Sequence, residues 1–134
     1  MTLVVDASAL LLGLLGTSTE HRGLRRRLSS EECHAPHLVD AEVGSVLRRR
    51  VMRGELSPAD AEGLLGAAPP LIDHRHDMTG RLALAAWSLR DNLSFSDALY
   101  VALAQALTCT LLTADARLLR TPGLACTVEL IGPT

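Results

Sequence analysis

Residues 1–16 read MTLVVDASALLLGLLG, and this stretch decides how the rest of the chain is interpreted. It is almost wholly apolar, with one acid, Asp6, in its first half. A secretion signal needs basic residues ahead of its apolar run, and only three uncharged residues precede Val4. A membrane-crossing helix would need ~20 apolar residues, and an acid inside it costs about 2.5 to 3.5 kcal/mol. We therefore expect no membrane association, but a buried strand at 3–5 that presents Asp6 just before a helix.

The composition is that of one protein domain with an aliphatic core. A chain of 134 residues predicts a single domain over 1–134, large enough to bury roughly two thirds of its unfolded surface. Apolar residues make up 48% but only three are aromatic, so Leu, Val and Ala must fill the core. The net charge of −2 gives no overall positive field for nucleic acid. An odd set of three cysteines, Cys33, Cys109 and Cys126, is typical of free thiols in a reducing cytoplasm.

Apolar periodicity predicts strands and helices in alternation along the chain. Such alternation is typical of an α/β sandwich, in which a parallel sheet is covered by helices on both faces. The predicted strands lie at 3–5, 33–36, 70–75, 109–113 and 126–131. The predicted helices lie at 8–15, 19–30, 38–54, 57–68, 79–92, 96–107 and 114–120.

Two acids directly follow predicted strands. Asp6 comes after the strand at 3–5, and Asp115 comes after the strand at 109–113. Ligands of parallel α/β sheets bind beyond the carboxyl ends of the strands, so both carboxylates should lie at one edge of the sheet. Two carboxylates in one crevice repel each other unless a cation or a proton lies between them. The pair therefore indicates that a cation or a proton is bound at this edge.

The long helix at 38–54 offers a third acid. Asp40 and Glu42 are two residues apart, about 200° around a helix, so both cannot face one point. Glu42 borders the apolar stripe beside Val46, whereas Asp40 lies in the first turn, where the helix dipole favours negative charge. We expect Glu42 to face the site and Asp40 to be a helix-start charge.

Asp97 is the fourth candidate, and its position has two interpretations. Ser94 and Asp97 match the S-x-x-D capping box, which alone would explain the acid. Asp97 also shares a helical face with Val101 and Ala104 in a helix that is otherwise almost wholly apolar. Beside the other three acids, the site interpretation is favoured.

Four carboxylates at the end of a parallel sheet are suited to Mg²⁺ or Mn²⁺. These hard cations take oxygen ligands and keep several waters, which leaves room for phosphate oxygens. Such a metal can lower the pKa of water and neutralise charge on a phosphodiester during in-line attack. The chemistry indicated is hydrolytic cleavage of nucleic acid.

Four stretches together resemble the PIN-domain nucleases, in particular the VapC toxins of bacterial toxin–antitoxin pairs. They are VVDASALL at 4–11, LVDAEVGSVLRRR at 38–50, LRDNLSFSDALYVALA at 89–104 and TLLTADARL at 110–118. No one of these motifs is specific alone, but the resemblance covers nearly the whole chain, with the motifs in the family's order and spacing.

The resemblance implies a fold, an activity and partners. The fold is a single PIN-like domain over 1–134, a three-layer α/β/α sandwich with a central, mainly parallel five-stranded sheet. The activity is metal-dependent endoribonucleolytic cleavage of single-stranded RNA by a homodimer. The partner is a VapB-like antitoxin, which can place a basic side chain into the acidic pocket. The implied catalytic and metal-holding residues are Asp6, Glu42, Asp97 and Asp115, with Asp6 and Asp97 nearest the metal and with Ser8 and Thr113 as supporting hydroxyls.

The arginine triplets at 25–27 and 48–50 do not each form one patch, because three consecutive helical residues sweep 200°. Most of these side chains are expected to be solvated or paired. Arg49 and Arg53, four residues apart and on the same face as Glu42, are the candidates for contact with RNA phosphates.

The histidines carry a weaker signal. His74 and His76 would lie on one side of a strand, and Cys33, His34 and His37 are close in sequence. Neither set has the usual spacing of a zinc finger, so we expect surface or core histidines.

Two other functions compete with the nuclease. Phosphoryl transfer through an aspartyl phosphate, as in haloacid-dehalogenase-like phosphatases and receiver domains, suits Asp6 after a first strand. Both families rely on a lysine, and all thirteen basic residues here are arginine. A scaffold that binds a basic partner through its acidic pocket, without turnover, stays open from the sequence alone.

Overall fold

The computed structural model describes residues 1–132, in which five strands alternate with seven helices. The strands are β1 Thr2–Val5, β2 Glu32–Pro36, β3 His74–His76, β4 Thr110–Thr113 and β5 Val128–Leu130. The helices are α1 Ala7–Leu15, α2 Thr19–Ser30, α3 Leu38–Met52, α4 Pro58–Ala67, α5 Arg81–Trp87, α6 Phe95–Leu107 and α7 Ala116–Leu119. Residues 133–134 of the predicted domain lie outside the described part.

The predicted strand at 70–75 is the clearest difference from the sequence analysis. Pro69–Leu71 forms a 3-10 turn instead, and β3 begins only at His74. Pro69 and Pro70 carry no backbone N–H and cannot donate to a strand ladder, so pairing starts beyond them.

All five strands are parallel, in the order β3-β2-β1-β4-β5. From β1 to β3 the chain steps toward one edge of the sheet, and it then returns to add β4 and β5 on the other side of β1. Since parallel crossovers are right-handed, α1 to α4 cover one face of the sheet, and α5 to α7 cover the other. The predicted three-layer α/β/α sandwich is confirmed, with a sheet that is wholly parallel.

The core lies on both faces of β1 and β4, the two central strands. Their apolar side chains are fully buried, and α6 packs across β1, β2 and β4 with residues 98–104 buried. Burial on both faces explains why β1 reads as a continuous apolar run, the feature that made residues 1–16 resemble a membrane segment. No helix within residues 1–132 is long and apolar enough to cross a membrane.

Trp87, at the end of α5, does not lie in the core, since its side chain is 58% exposed. Leu84, three residues earlier on the same face of α5, is exposed as well, so this face of the helix points away from the core.

Candidate functional site

A cleft of about 780 Å³ lies beyond the carboxyl ends of β1 and β4. It lies where the strand order reverses, since the chain leaves β1 toward β2 on one side and β4 lies on the other. This is the place where open parallel sheets bind their ligands. The lining includes all four acids that the sequence analysis selected, namely Asp6, Glu42, Asp97 and Asp115.

Asp6 is the most buried of these acids, with 8% of its surface exposed. It is the N-cap of α1, because its Oδ1 accepts a hydrogen bond from the backbone N–H of Ala9 at 3.0 Å. Burial raises the pKa of Asp6, against hydrogen bonds from Ser8, Thr113 and Ala9 that lower it. A carboxylate has about four acceptor positions, and these three donors leave one of them for another ligand.

Two hydroxyls hold the Asp6 carboxylate between β1 and β4. The Ser8 hydroxyl donates to Oδ1 at 2.6 Å, and the buried Thr113 hydroxyl donates to Oδ2. Each hydroxyl also accepts a backbone N–H from the loop after β4, Ser8 from Ala114 at 2.9 Å and Thr113 from Asp115 at 3.0 Å. The loop that carries Asp115 is therefore attached directly to the groups that orient Asp6.

Glu42 enters the cleft from α3 and is held by Tyr100 of α6. The Tyr100 hydroxyl donates to Glu42 Oε1 at 2.5 Å. Burial raises the pKa of Glu42, the Tyr100 hydrogen bond lowers it, and the charges of Asp6 and Asp97 raise it. Asp40 does not line the cleft but forms an ion pair with Arg75 at 2.7 Å, outside the site as expected.

Asp97 belongs both to the capping motif of α6 and to the site, the two interpretations that its sequence position allowed. The Ser94 hydroxyl caps α6 by accepting the Asp97 backbone N–H at 3.2 Å. The Asp97 residue lines the cleft as well. The capping motif thus fixes where α6 begins, and that beginning brings Asp97 to the site.

Asp115 is held by an arginine. It is the N-cap of the short helix α7 and forms an ion pair with the exposed Arg117, Oδ2 to Nη2 at 2.5 Å. The hydrogen bond from Arg117 lowers the pKa of Asp115. Of the four acids, Asp115 is therefore the one whose charge is already matched by a cation of the chain.

The arginines of α3 reach the cleft only in part. Arg49 lines it, and so does Arg50, which the sequence analysis did not select. Arg53 is exposed just after α3 and is not among the lining residues. It lies four residues further along the helix, which carries it about 6 Å beyond Arg49.

The arrangement is suited to a hydrated hard cation. Asp6 and Glu42 both have raised pKa values, and the negative charge of a neighbouring acid contributes to each shift. A divalent cation would relieve this repulsion. Mg²⁺ usually keeps several of its own waters, so the four carboxylates need not all contact it directly.

Two residues of the site were missed by the sequence analysis as partners of the acids. Tyr100 comes three residues after Asp97 on α6, so it shares the helical face that points toward the cleft, and this spacing was the available signal. Arg117 follows Asp115 by two residues in a region read as an ordinary short helix. Its pairing depends on the cap geometry of α7, which has no sequence signature.

The chain is similar to proteins of one known family. The PIN domain family model matches residues 3–124. The chain is 48% identical over 128 residues to "Ribonuclease VapC1" of Mycobacterium tuberculosis, covering 96% of both chains. It is 42% identical over 129 residues to "Ribonuclease VapC9" of the same organism, covering 96% of this chain and 98% of the relative.

Solved structures share the fold at much lower identity. The structure of VapBC2 from Rickettsia felis bound to a promoter DNA fragment aligns with a TM-score of 0.71 at 14% identity, covering 97% of this chain and 98% of that one. VapBC-5 from Mycobacterium tuberculosis aligns with a TM-score of 0.61 at 17% identity, covering 98% of both chains. At these identities the likeness establishes the fold alone.

Proposed function

Since the chain belongs to the PIN-domain family and to its VapC ribonucleases, we propose that it is a divalent-metal-dependent endoribonuclease, the toxin of a VapBC-type toxin–antitoxin pair. Its reaction is the hydrolysis of phosphodiester bonds in single-stranded RNA. The observation that carries the proposal is that four acids from β1, α3, α6 and the loop after β4 line one cleft. The family match over 3–124 supports the prediction that one domain of this kind spans the chain.

The carboxylates of Asp6, Glu42, Asp97 and Asp115 would hold Mg²⁺ or Mn²⁺. When bound, such an ion supplies Lewis-acid activation of water and neutralisation of phosphate charge.

Other residues of the cleft would orient the carboxylates and bind the RNA. Ser8 and Thr113 fix Asp6, and Tyr100 fixes Glu42, so the oxygens are oriented before a ligand arrives. Arg49 and Arg50 place positive charge on the cleft wall, where RNA phosphates can be bound.

Replacement of Asp97 by asparagine tests the activity. Asp97 is only partly buried and its backbone makes the capping bond, so Asp97→Asn keeps the fold. We expect the rate of cleavage of a single-stranded RNA to fall by at least about a hundredfold. The reason is that the transition state loses several kcal/mol of charge stabilisation when the metal is held less well. Asp40→Asn, on α3 but outside the cleft, is the matched control and should cleave normally.

The metal titration separates the nuclease from the non-catalytic scaffold. Wild-type cleavage should stop in EDTA and return with Mg²⁺ or Mn²⁺. A folded Asp97→Asn protein that still cleaves at the wild-type rate would contradict the catalytic assignment. A wild-type protein that cleaves no RNA under any metal, yet binds a basic peptide in the cleft, would favour the scaffold.

The contact with RNA phosphates is proposed for Arg49, and less directly for Arg53. On single strands, each phosphate neutralised contributes about 0.7 to the slope of log affinity against log salt. We expect Arg49→Ala to weaken RNA binding and flatten that slope by about this amount, measured in Ca²⁺ or with Asp97→Asn to prevent cleavage. Arg48→Ala, on the same helix but outside the cleft lining, is the control. An unchanged slope in Arg49→Ala would contradict the proposal, and Arg53→Ala should have the smaller effect of the two.

The proposed partners are a VapB-like antitoxin and a second copy of the chain, acting in the cytoplasm on cellular RNA. The antitoxin follows from the relatives' membership of the VapC group and from the acidic cleft, which would accept a basic side chain. A small protein encoded beside this one should co-purify with it and inhibit its cleavage of RNA. Asp97→Asn should weaken that complex if the basic side chain enters the cleft.

A further inference from the structure

A second group of metal-ligating side chains lies outside the acidic cleft. Glu32 and His34 of β2 and His74 of β3 bring their ligand atoms within 4.8 Å of one another. Glu32 Oε1 lies 2.7 Å from His34 Nε2 and 3.5 Å from His74 Nε2. None of the three residues lines the cleft. The sequence spacing gave no indication of such a group, because His74 lies 42 residues after Glu32 and 40 after His34.

The sheet itself brings these side chains together. Alternate residues of a strand point to the same face, so Glu32 and His34 share one face of β2. His74 is the direct register partner of His34 on the neighbouring parallel strand. Cys33 points to the opposite face, where its thiol contacts the Leu28 carbonyl of α2. The group therefore lies on the face covered by α5 to α7, at the edge of the sheet.

The surroundings of His34 orient it as a ligand. Its side chain is only 10% exposed, and its ring stacks on that of His74 with centroids 4.6 Å apart. Its Nδ1 lies 2.8 Å from Nε2 of His76. Metal-bound histidines usually donate their second ring N–H to a nearby acceptor, and His76 is placed to be that acceptor. His74 and Glu32 are half exposed, so an ion can reach them from solvent.

We propose that Glu32, His34 and His74 form a zinc-binding site, in which the three side chains fill three of four tetrahedral positions and water fills the fourth. Two imidazole nitrogens and one carboxylate oxygen are suited to Zn²⁺, and the nitrogens disfavour Mg²⁺. Ligand atoms around a tetrahedral zinc lie about 3.4 Å apart for bonds of about 2.1 Å. The two distances from Glu32, 2.7 and 3.5 Å, lie within about 1 Å of this value, and the ligand nitrogens of His34 and His74 lie within 4.8 Å of each other. The ion would join β3, a strand of three residues at the sheet edge, to β2.

Zinc binding also predicts a change of histidine tautomer. Without metal, the Glu32 carboxylate can only accept, so a neutral His34 carries its proton on Nε2 and accepts from His76 Nε2–H at Nδ1. Coordination through Nε2 requires the His34 proton to lie on Nδ1, from which it donates to His76 Nε2. The His76 proton then lies on its own Nδ1, so no proton is gained or lost by the pair.

A competition titration of Zn²⁺ against a chromophoric chelator tests the site in the full-length protein. We expect one tight site in the wild type, weakened at least about tenfold in His74→Ala. Because His74 is half exposed, this variant should keep the fold, which circular dichroism checks. His37→Ala is the matched control, since His37 is also half exposed and its Nε2 lies 3.6 Å from Asp77 Oδ1, outside the proposed ligand set. Zinc should raise the melting temperature of the wild type and of His37→Ala, but not that of His74→Ala.

The same titration distinguishes this site from the acidic cleft. Asp97→Asn should bind zinc as the wild type does, so the zinc site stands or fails independently of the proposed nuclease. Zinc binding that is lost in Asp97→Asn, or kept in full in His74→Ala through cysteines, would overturn the proposal. In ¹⁵N spectra of zinc-saturated protein, a His34 proton found on Nδ1 supports it, and one still on Nε2 overturns it.

Discussion

Asp6 lies in a place where a negative charge is costly. It is buried beside Asp115, and burial raises its pKa despite three hydrogen bonds. A raised pKa means that ionisation is less favourable in the folded than in the unfolded chain. The stability that protonated Asp6 supplies is complete below its unfolded value of 3.8 and is lost as the pH rises through the folded value.

We therefore expect Asp6→Asn to stabilise the metal-free protein at pH 7. A gain of about 1 kcal/mol would raise the melting temperature by several degrees in a domain of this size. The measurement is thermal unfolding in EDTA, repeated at falling pH, where the gain should shrink toward pH 3.8. Added Mg²⁺ should stabilise the wild type and not the variant. A variant less stable than the wild type in EDTA would show that the bonds from Ser8 and Thr113 outweigh the burial of charge.

Tyr100 is the residue that positions Glu42. Tyr100→Phe removes the hydrogen bond that lowers the pKa of Glu42 and leaves the burial that raises it. Because protonated Glu42 is a poorer ligand, we expect half-maximal cleavage to need about tenfold more Mg²⁺. The acid limb of the pH–rate profile should also move to higher pH.

A double-mutant cycle provides the control. In a Glu42→Gln background, Tyr100→Phe should add little, because the two residues act as a unit. Full additivity of the two effects would show that Tyr100 acts elsewhere, for example on the packing of α6.

The acids of the site differ in how far the sequence could reveal them. Asp6 and Asp115 follow buried strands, and a rule about parallel sheets was enough to bring them to one edge. Glu42 and Asp97 could be selected only by working out which residues share a face of α3 and of α6. The Glu42–Tyr100 bond depends on how closely α3 and α6 approach across the cleft, and no local pattern encodes that distance.

At the scale of elements, the strands and helices with strong apolar patterns were predicted, and the weakly patterned ones were misplaced. β1 and β4 are buried almost throughout, and α6 is buried over residues 98–104, so their apolar patterns are continuous. β3 has three residues and no fully buried side chain, and the apolar residues before it, Leu71 and Ile72, favoured a strand at 70–75 instead. Such an edge strand is determined by its partner β2 rather than by its own sequence.

The other edge strand, β5, is tied to α2 by an ion pair. Arg27 donates to both carboxylate oxygens of Glu129, at 2.5 and 2.9 Å, and this interaction lowers the pKa of Glu129. Because the pKa of Glu129 is lower in the folded than in the unfolded chain, ionised Glu129 stabilises the fold. This stabilisation is complete above the unfolded pKa of 4.5 and is lost as the pH falls through the folded pKa.

Glu129→Gln should therefore destabilise the protein at pH 7 by roughly 1 kcal/mol, the upper range for a partly exposed pair. The loss should disappear in acid, once Glu129 of the wild type is protonated. Chemical denaturation at several pH values measures it. Glu31→Gln, which removes the other partner of Arg27 within α2, is the control and should cost less, because an i,i+4 helix pair contributes only about 0.3–0.5 kcal/mol.

At the scale of the whole molecule, charge and apolar surface are unevenly distributed. The acids of the cleft lie beyond the carboxyl ends of the central strands β1 and β4, with Arg49 and Arg50 on the cleft wall. The net charge of −2 hides this arrangement, which is why composition alone argued against binding to nucleic acid. The proposed contact with an RNA backbone therefore depends on where the arginines lie and not on the overall charge.

The short helix α5 carries the exposed apolar pair Leu84 and Trp87, 73% and 58% exposed. The two side chains are three residues apart and share one helical face. Exposed aliphatic and aromatic groups in one patch are typical of an interface, which agrees with the homodimer that the sequence resemblance implies.

We expect the wild-type protein to sediment with twice the mass of one chain, and Leu84→Glu to shift it toward one chain. A charge at the centre of an apolar contact is costly because it must lose its hydration without a partner. Leu119→Glu, which places the same charge at another exposed leucine, should leave the dimer intact. A wild-type protein that is monomeric at all concentrations would contradict the homodimer. A dimer that Leu84→Glu leaves unchanged would place the interface elsewhere, and α5 would then be free to receive a different protein.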